Sequence, residues 1–176
     1  MLNDDTEFDI RIKDNFLNQE DFDKIKSYIK DKCWQPMGVT LSPPNSSVTH
    51  VWFTYKAPKE ITDIMEKEVS KFFNIKILST NLNYFSFVSR SKKVEVHTDI
   101  SEITNFQTIL YIDGDDSIHS GTGFYIKKDK DNFELNTHIG FKPNRIVSWT
   151  SNVPHAPLSF TETFKPRVSL LTQYRI

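Results

Sequence analysis

The feature that most constrains the fold is a long series of short β-favouring segments. From Ile75 to the end of the chain, runs rich in branched and aromatic residues alternate with polar turns such as 113–116 and 128–132. The predicted strands are 75–78, 82–88, 94–99, 108–112, 123–126, 133–137, 145–149 and 167–174. Many short strands at this spacing favour a sandwich or a barrel. A mainly β fold of the jelly-roll type, a double-stranded β-helix, fits this pattern, and a flatter α+β sheet is the alternative.

The first third of the chain differs in character and predicts two helices. Asn18 is a good N-cap, and acidic residues follow it, as is typical of a first helical turn. Pro58 suits the first turn of a second helix. The predicted buried stripe of that helix is Ile61, Ile64, Met65, Val69 and Phe72. Strands are predicted over 8–12 and 48–55, and the two helices would cover one face of the β-rich core.

Length and composition predict one globular domain. The 176 residues suffice for one sizeable core and are few for two. Apolar residues make up 38% of the sequence and charged residues 26%, which is typical of a folded domain and not of a disordered chain. We therefore expect a single domain over 1–176, with a helical support region over 1–73 and the jelly-roll core over 74–176.

Charge, cysteine content and hydropathy exclude several classes of protein. A formal net charge of -1 gives no electrostatic case for a nucleic acid or an anionic membrane as partner. The single cysteine, Cys33, cannot form an intrachain disulfide, so no oxidising compartment is required. No apolar run approaches the roughly 20 residues of a membrane span, and the acidic, polar N-terminus is unlike a signal peptide. We expect a cytoplasmic protein, and the oligomeric state stays open.

The segment 94–99, Val-Glu-Val-His-Thr-Asp, places two metal-binding residue types two positions apart. Side chains alternate faces along a strand, so His97 and Asp99 would point to one side and Thr98 to the other. An imidazole and a carboxylate about 7 Å apart along a strand can converge on one metal ion. A polar edge strand explains the same triplet, so the triplet alone does not establish a metal site.

His155 stands between Pro154 and Pro157, which stiffen the backbone around it. Taken alone, it is better explained as a partly buried loop histidine. Together with His97 and Asp99, however, it completes a set of two imidazoles and one carboxylate. That set leaves open coordination positions and is typical of non-haem Fe(II) oxygenases.

Arg167 is one of only five arginines in the chain, and it begins an apolar predicted strand. Arg167 and Ser169 would share a face of that strand. A guanidinium matches a carboxylate bidentately, and a nearby hydroxyl can donate a further hydrogen bond. The alternative is a solvated surface arginine, but an inward arginine on this strand would need an anionic partner.

The order His-x-Asp, distal His, Arg-x-Ser resembles the 2-oxoglutarate/Fe(II) dioxygenase superfamily, especially its prolyl-4-hydroxylase-like branch. Other stretches resemble the strand after the metal motif, the Gly-Gly-x-Thr-x-Phe turn, the strand before the distal histidine and the N-terminal opening: 108–112, 120–125, 144–147 and 14–17. The resemblance covers most of the chain and is strongest over 81–176. The double glycine is reduced to Ser120-Gly121, and the pattern often seen before His-x-Asp is not matched over 88–96.

The resemblance implies an enzyme that uses Fe(II), 2-oxoglutarate and O2, with ascorbate as an optional reductant. His97, Asp99 and His155 would hold the metal. The implied reaction is hydroxylation of a small molecule or of a protein residue such as proline, with conversion of 2-oxoglutarate to succinate. Halogenating relatives lack the carboxylate at the position of Asp99, so its presence favours hydroxylation, and demethylation by hydroxylation stays open.

The same resemblance implies that Arg167 and Ser169 bind the far carboxylate of 2-oxoglutarate. Tyr84 and Tyr111 are candidates for further contacts with the cosubstrate. For each tyrosine, the plainer interpretation is a core aromatic whose hydroxyl has a hydrogen-bond partner.

Two other classes of protein remain as alternatives. One is a cupin-like metal-dependent lyase, isomerase or hydrolase that uses the same three ligands without 2-oxoglutarate. Such a protein would not need Arg167 and Ser169 to face inward. The other is a catalytically inert jelly-roll binding module, against which an intact set of ligands and the arginine argue.

Overall fold

Ten strands and two helices make up the part of the chain that the computed structural model describes. The described residues are 9–30, 35–40, 50–91, 96–99, 101–114, 120–129, 132–158 and 166–176. The helices are α1 (Gln19–Tyr28) and α2 (Lys59–Phe73). The strands are β1 (Arg11–Lys13), β2 (Gln35–Thr40), β3 (His50–Lys56), β4 (Ser79–Ser91), β5 (Phe106–Asp113), β6 (Thr122–Lys127), β7 (Phe133–Ile139), β8 (Ile146–Thr150), β9 (His155–Pro157) and β10 (Arg167–Arg175).

The strands form two sheets. The major sheet has seven strands in the order β1-β8-β5-β10-β4-β3-β2, and the minor sheet has three in the order β7-β6-β9. All of the pairings described between these strands are antiparallel. Two facing antiparallel sheets with helices outside them confirm the predicted jelly roll and not the flatter α+β sheet.

The major sheet has a helix face and a cavity face. On β5, for example, Leu110 belongs to a cluster that includes residues of both helices, whereas Ile109 belongs to a second cluster that includes residues of the minor sheet. This follows from the alternation of side chains along a strand. The helices therefore cover one face of the major sheet, as predicted, and the minor sheet covers the other.

The ends of both helices follow from local chemistry. The side chain of Asn18 accepts a hydrogen bond from the backbone N–H of Asp21 at 2.9 Å, which confirms the predicted N-cap. Pro58 is the N-cap residue of α2, one position earlier than predicted. Asn74 ends α2 in the left-handed conformation, with φ 52. Neither helix in the described part of the chain is long and apolar enough to cross a membrane.

The buried face of α2 is rotated slightly from the predicted one. Ile61, Met65 and Val69 are buried as predicted, but Phe73 completes the stripe. Phe72 is 44% exposed, so its predicted burial is wrong. The steps from Ile61 to Phe73 are all of four residues, and this spacing leaves Phe72 at the edge of the face.

Some predicted strands differ from the observed ones. The segment 75–78 is not a strand; its described backbone hydrogen bonds run from the Ile75 N–H to the Ser70 carbonyl and from the Leu78 N–H to the Arg175 carbonyl. Of the predicted strand 94–99, residues 96–99 are described, and they form a single bridge at His97. In the first third of the chain, β1 and β3 overlap the predicted strands 8–12 and 48–55, whereas β2 was not predicted; all three belong to the major sheet.

A polar clasp attaches the segment before α1 to the turn before β8. The side-chain amide of Asn144 donates to the Leu17 carbonyl at 2.9 Å and accepts from the Leu17 N–H at 3.0 Å. Beside it, Asp14 accepts from Arg145 Nε at 2.6 Å and from Lys142 Nζ at 2.9 Å. These hydrogen bonds hold the pKa of Asp14 well below its usual range. The clasp fixes the start of β8, the strand that leads to His155.

Candidate metal centre

His155 is buried, and its ring orientation is fixed from within its own turn. It begins β9, the edge strand of the minor sheet. Its Nδ1 lies 3.0 Å from the carbonyl oxygen of Val153. A carbonyl only accepts, so Nδ1 donates to it, and Nε2 is the nitrogen that faces Asp99. This ring orientation leaves Nε2 as the atom that could bind a metal.

Backbone hydrogen bonds bring His97 and Asp99 to the same place. The His97 N–H donates to the His155 carbonyl at 3.1 Å, and the His155 N–H donates to the His97 carbonyl at 2.9 Å. Two residues later, the Asp99 N–H donates to the Ser151 carbonyl at 3.0 Å. His97 and Asp99 thus follow the turn that carries His155, although residues 96–99 form no named strand.

The three side chains converge as the sequence predicted. One ligand atom from each of His97, Asp99 and His155 lies within 4.8 Å of the other two. Nε2 of His155 is 3.2 Å from Asp99 Oδ2, and Nε2 of His97 is 4.0 Å from Asp99 Oδ1. Ligands of one divalent ion at about 2.0–2.2 Å lie at most about 4.4 Å apart. Small movements of the side chains would therefore bring all three ligand atoms within bonding distance of one divalent ion. Two imidazoles and one carboxylate are suitable ligands for such an ion.

The electrostatics of Asp99 suit a ligand. Its partial burial favours the neutral acid, but the hydrogen bond and charge of His155, the charge of His97 and a hydrogen bond from Gln107 outweigh this effect. The pKa of Asp99 is therefore lowered from its usual value. The side chain of His97 is 44% exposed and that of His155 is 8% exposed, so the group spans the mouth of a cavity.

The cavity between the two sheets connects this group to Arg167. The empty space within it and at its mouth, open solvent included, is about 530 Å³. Its walls carry apolar side chains such as Ile109 and Leu171 together with polar ones at both ends. A mostly apolar cleft with a few convergent polar groups is the usual form of a small-molecule site.

Arg167 is 3% exposed and lies at the start of β10. Its Nη1 donates to the carbonyls of Ser120 at 3.2 Å and Gly121 at 2.7 Å, which fixes the plane of the guanidinium. Burial lowers the pKa of Arg167, and the nearby Tyr111 opposes this shift. A buried guanidinium is best stabilised by an anion, and the cavity that it lines is open to one.

Gly121 lets the turn before β6 pass close to the backbone of Ile139, at the end of β7. A Cβ at this position would lie 1.7 Å from the carbonyl oxygen of Ile139. No side chain fits at that distance, so the turn requires a glycine here. Gly121, the one glycine that remains of the double-glycine motif, is also the residue whose carbonyl accepts a hydrogen bond from Arg167.

Ser169 and Ser86 lie opposite one another on β10 and β4 and both line the cavity. Both are at most 3% exposed, and within the described residues neither Oγ has a hydrogen-bond partner. A buried hydroxyl without a partner is costly, so these two hydroxyls fit a polar ligand beside Arg167.

The two candidate tyrosines occupy different positions. Tyr84 lines the cavity, and burial together with the charge of Asp99 raises its pKa to about 12, so its hydroxyl is a donor at neutral pH. Tyr111 is fully buried, and its hydroxyl is 2.8 Å from Oγ1 of Thr122, which itself lines the cavity. Contacts of either tyrosine with a cosubstrate stay a prediction.

Several residues that line the cavity were not predicted from the sequence. They are Ser86, Ile109, Thr122, Trp149, Pro157 and Leu171. Gln107, which contacts Asp99, was not predicted either. The signal for Ser86 was the period of two that it shares with Tyr84, and the signal for Gln107 was the same period shared with Tyr111. To know that these strand faces line the site, one must know how β4, β5 and β10 pair. The local sequence of each strand does not reveal that pairing.

No family model matches the sequence, and no curated protein is similar to it in sequence. Solved structures do share its fold. An oxidoreductase of the 2OG-Fe(II) oxygenase family from Burkholderia pseudomallei is 7% identical, with a TM-score of 0.63 over 94% of this chain and 83% of that one. A prolyl-4-hydroxylase from Pseudomonas putida is 12% identical, with a TM-score of 0.58 over 96% and 93%.

A third structure is a prolyl hydroxylase from Trichoplax adhaerens in complex with a hypoxia inducible factor oxygen degradation domain peptide fragment. It is 13% identical, with a TM-score of 0.62 over 94% of this chain and 82% of that one. The resemblance stated from the motifs therefore extends to the fold: the structural neighbours are 2OG-Fe(II) oxygenase family proteins, prolyl-4-hydroxylases among them.

Proposed function

We propose that the protein is an Fe(II)- and 2-oxoglutarate-dependent dioxygenase that hydroxylates a small molecule or a protein residue such as proline. One observation carries the proposal: a single cavity contains both the group of His97, Asp99 and His155 and the buried Arg167. A metal group alone would suit many reactions. A buried arginine in the same cavity suits a cosubstrate that carries a carboxylate at the far end. The proposed domain is 1–176, with the core over 74–176.

In this proposal His97, Asp99 and His155 hold the metal. Bound Fe(II), with 2-oxoglutarate and O2, supplies oxidation of a C–H bond to an alcohol, coupled to decarboxylation of 2-oxoglutarate to succinate. His155 contributes a ring that is already oriented by the Val153 carbonyl. The exposure of His97 at the mouth leaves room for a substrate on that side.

Arg167 would bind the far carboxylate of 2-oxoglutarate, and Ser169 would donate a hydrogen bond to it. Both are held rigidly on β10, so they need little reordering when the cosubstrate arrives. Tyr84 and Tyr111 are proposed as further contacts, Tyr84 through a protonated hydroxyl beside Asp99 and Tyr111 through its position beside Arg167 and Thr122. The apolar walls between the two ends keep water from the reacting centre.

A peptide or a small molecule is the proposed substrate, and no nucleic-acid partner is proposed. The Trichoplax adhaerens neighbour, which is solved with a peptide fragment, supports a peptide as one option. The presence of Asp99 supports hydroxylation over halogenation, as the resemblance implied.

The test is an anaerobic titration of the protein with Fe(II), with and without 2-oxoglutarate. We expect a weak visible charge-transfer band only when both are present, and slow conversion of 2-oxoglutarate to succinate once O2 and a reductant are added. Metal binding without the band would favour the cupin-like lyase, isomerase or hydrolase. Absence of metal binding would favour the inert binding module and would refute the proposal.

A further inference from the structure

Gln107 and Trp149 lie side by side behind Asp99. Gln107 of β5 pairs directly with Trp149 of β8, and the two side chains are 0% and 1% exposed. With the amide nitrogen of Gln107 turned to Asp99, that nitrogen lies 2.9 Å from Asp99 Oδ2. The amide oxygen then lies 2.5 Å from the indole nitrogen of Trp149.

Three polar groups surround this amide: Asp99, Trp149 and the side-chain amide of Gln173, 3.5 Å away. The Gln173 amide can itself turn to present either a donor or an acceptor, so Asp99 and Trp149 determine the orientation of Gln107. The indole N–H of Trp149 only donates, so the amide oxygen of Gln107 must face it. An ionised carboxylate only accepts, so the amide nitrogen must face Asp99. The reverse orientation would place acceptor against acceptor and donor against donor. The chain of hydrogen bonds therefore runs in one direction, from Trp149 through Gln107 to Asp99.

We infer that Gln107 is a positioning residue for the metal centre and that Trp149 locks it in place. This inference rests on the proposed metal role of Asp99. The amide of Gln107 occupies one oxygen of the carboxylate and fixes its rotation, so that the carboxylate is oriented before an ion arrives. Ligands oriented in advance bind more tightly, and loss of such a partner commonly costs 10- to 100-fold in metal affinity.

Trp149 has a second contact that fits the same role. Its ring packs on the ring of His155, with centroids 4.9 Å apart and an interplanar angle of 60°. One buried indole thus contacts His155 directly and Asp99 through Gln107. Two of the three proposed ligands share this support, which explains why a large side chain with a single polar atom is buried here.

The experiment measures Mn²⁺ affinity, by calorimetry, for the parent, Gln107→Leu, Trp149→Phe and the double variant. We expect Gln107→Leu to weaken binding by about 10- to 100-fold and Trp149→Phe to cause a smaller loss. Phenylalanine keeps a ring beside His155 and removes the indole N–H that acts through Gln107, so adding Trp149→Phe to Gln107→Leu should change the affinity little further. The visible spectrum of the Co²⁺-loaded protein should also change in Gln107→Leu, because it reports ligand geometry directly.

Thr108→Val is the matched control. Thr108 is fully buried on the same strand, next to Gln107, but it faces the helices. Its replacement removes one buried hydroxyl without touching Asp99, so Mn²⁺ affinity and the Co²⁺ spectrum should match the parent. A loss of metal affinity in Thr108→Val as large as in Gln107→Leu would mean that general destabilisation explains both.

Parent-like Mn²⁺ affinity and Co²⁺ spectrum in Gln107→Leu would overturn the inference and leave the proposed function standing. If Gln107→Leu does not fold, the Trp149→Phe variant tests the inference instead. Parent-like Mn²⁺ affinity in Trp149→Phe would overturn the inferred role of Trp149 in holding Gln107. A parent protein that binds no Mn²⁺ at all would overturn both the inference and the proposed function.

Discussion

Replacement of Arg167 by alanine is the perturbation that separates a 2-oxoglutarate oxygenase from a cupin-like metalloenzyme. The side chain is 3% exposed, and its plane is fixed by hydrogen bonds to the carbonyls of Ser120 and Gly121. In the proposed function it pairs with the far carboxylate of 2-oxoglutarate inside the cavity. Alanine removes that partner and keeps the proposed metal ligands.

The expected magnitude follows from burial. Removing one partner of a buried, hydrogen-bonded charge pair costs about 2–5 kcal/mol. At about 1.4 kcal/mol for each factor of ten, the lower bound is a loss of roughly 30-fold in affinity for 2-oxoglutarate. Arg167→Lys should be intermediate, because an ammonium keeps the charge but loses the fork. Ser169→Ala should cost about 1 kcal/mol, as expected for one supporting hydrogen bond.

Isothermal titration of 2-oxoglutarate into the Mn²⁺-loaded variants measures these losses directly. Affinity for Mn²⁺ itself should stay nearly unchanged in Arg167→Ala. Arg145→Ala is a matched control, because this arginine is bound to Asp14 and to the Gly140 carbonyl and does not line the cavity. The control should bind 2-oxoglutarate like the parent. Parent-like affinity in Arg167→Ala would refute the proposed carboxylate clamp.

Three further predictions concern other parts of the molecule. Asp99→Ala should abolish succinate formation, because two neutral imidazoles hold Fe(II) poorly; unchanged turnover would mean that the ligand assignment is wrong. Asp14→Asn should lower stability by about 1 kcal/mol at neutral pH, a modest value because this side chain is 35% exposed. Since Arg145 lowers the pKa of Asp14, that contribution is present above the unfolded value near 4 and is lost as the pH falls through the folded value. Urea unfolding of parent and variant should therefore converge in acid, and a constant difference would contradict the clasp. Gly121→Ala should destabilise the fold by about 1–3 kcal/mol or more, because its methyl would meet the Ile139 carbonyl, and parent-like urea unfolding would contradict this.

His97 and Asp99 show how far a sequence pattern reaches. The period of two predicted that both side chains would point to one place, and they do converge with His155. The predicted reason was a continuous strand, whereas the described residues 96–99 are held by one bridge and by a hydrogen bond to Ser151. The residue types and their spacing were sufficient to predict that His97, Asp99 and His155 lie together. The hydrogen bonds that hold them there join segments far apart in the sequence and could not be predicted from it.

The site residues that the sequence did not predict were missed for one physical reason. Ser86 and Gln107 lie in or beside predicted strands, and nothing in their local sequence distinguishes them from other polar strand residues. Their significance depends on the register that places Ser86 opposite Ser169 and Gln107 opposite Trp149. β9 was also missed, since a three-residue segment that ends in proline carries almost no strand signal.

The backbone bridge between His97 and His155 also makes the spacing of the two imidazoles independent of the length of chain between them. That intervening chain includes β5, β6, β7, β8 and their surface connections. Doubling the length of a flexible connection adds only about 0.6 kcal/mol of closure cost, and it leaves the bridge atoms where they are. An insertion in one of these connections would therefore leave the proposed metal ligands at their present separation.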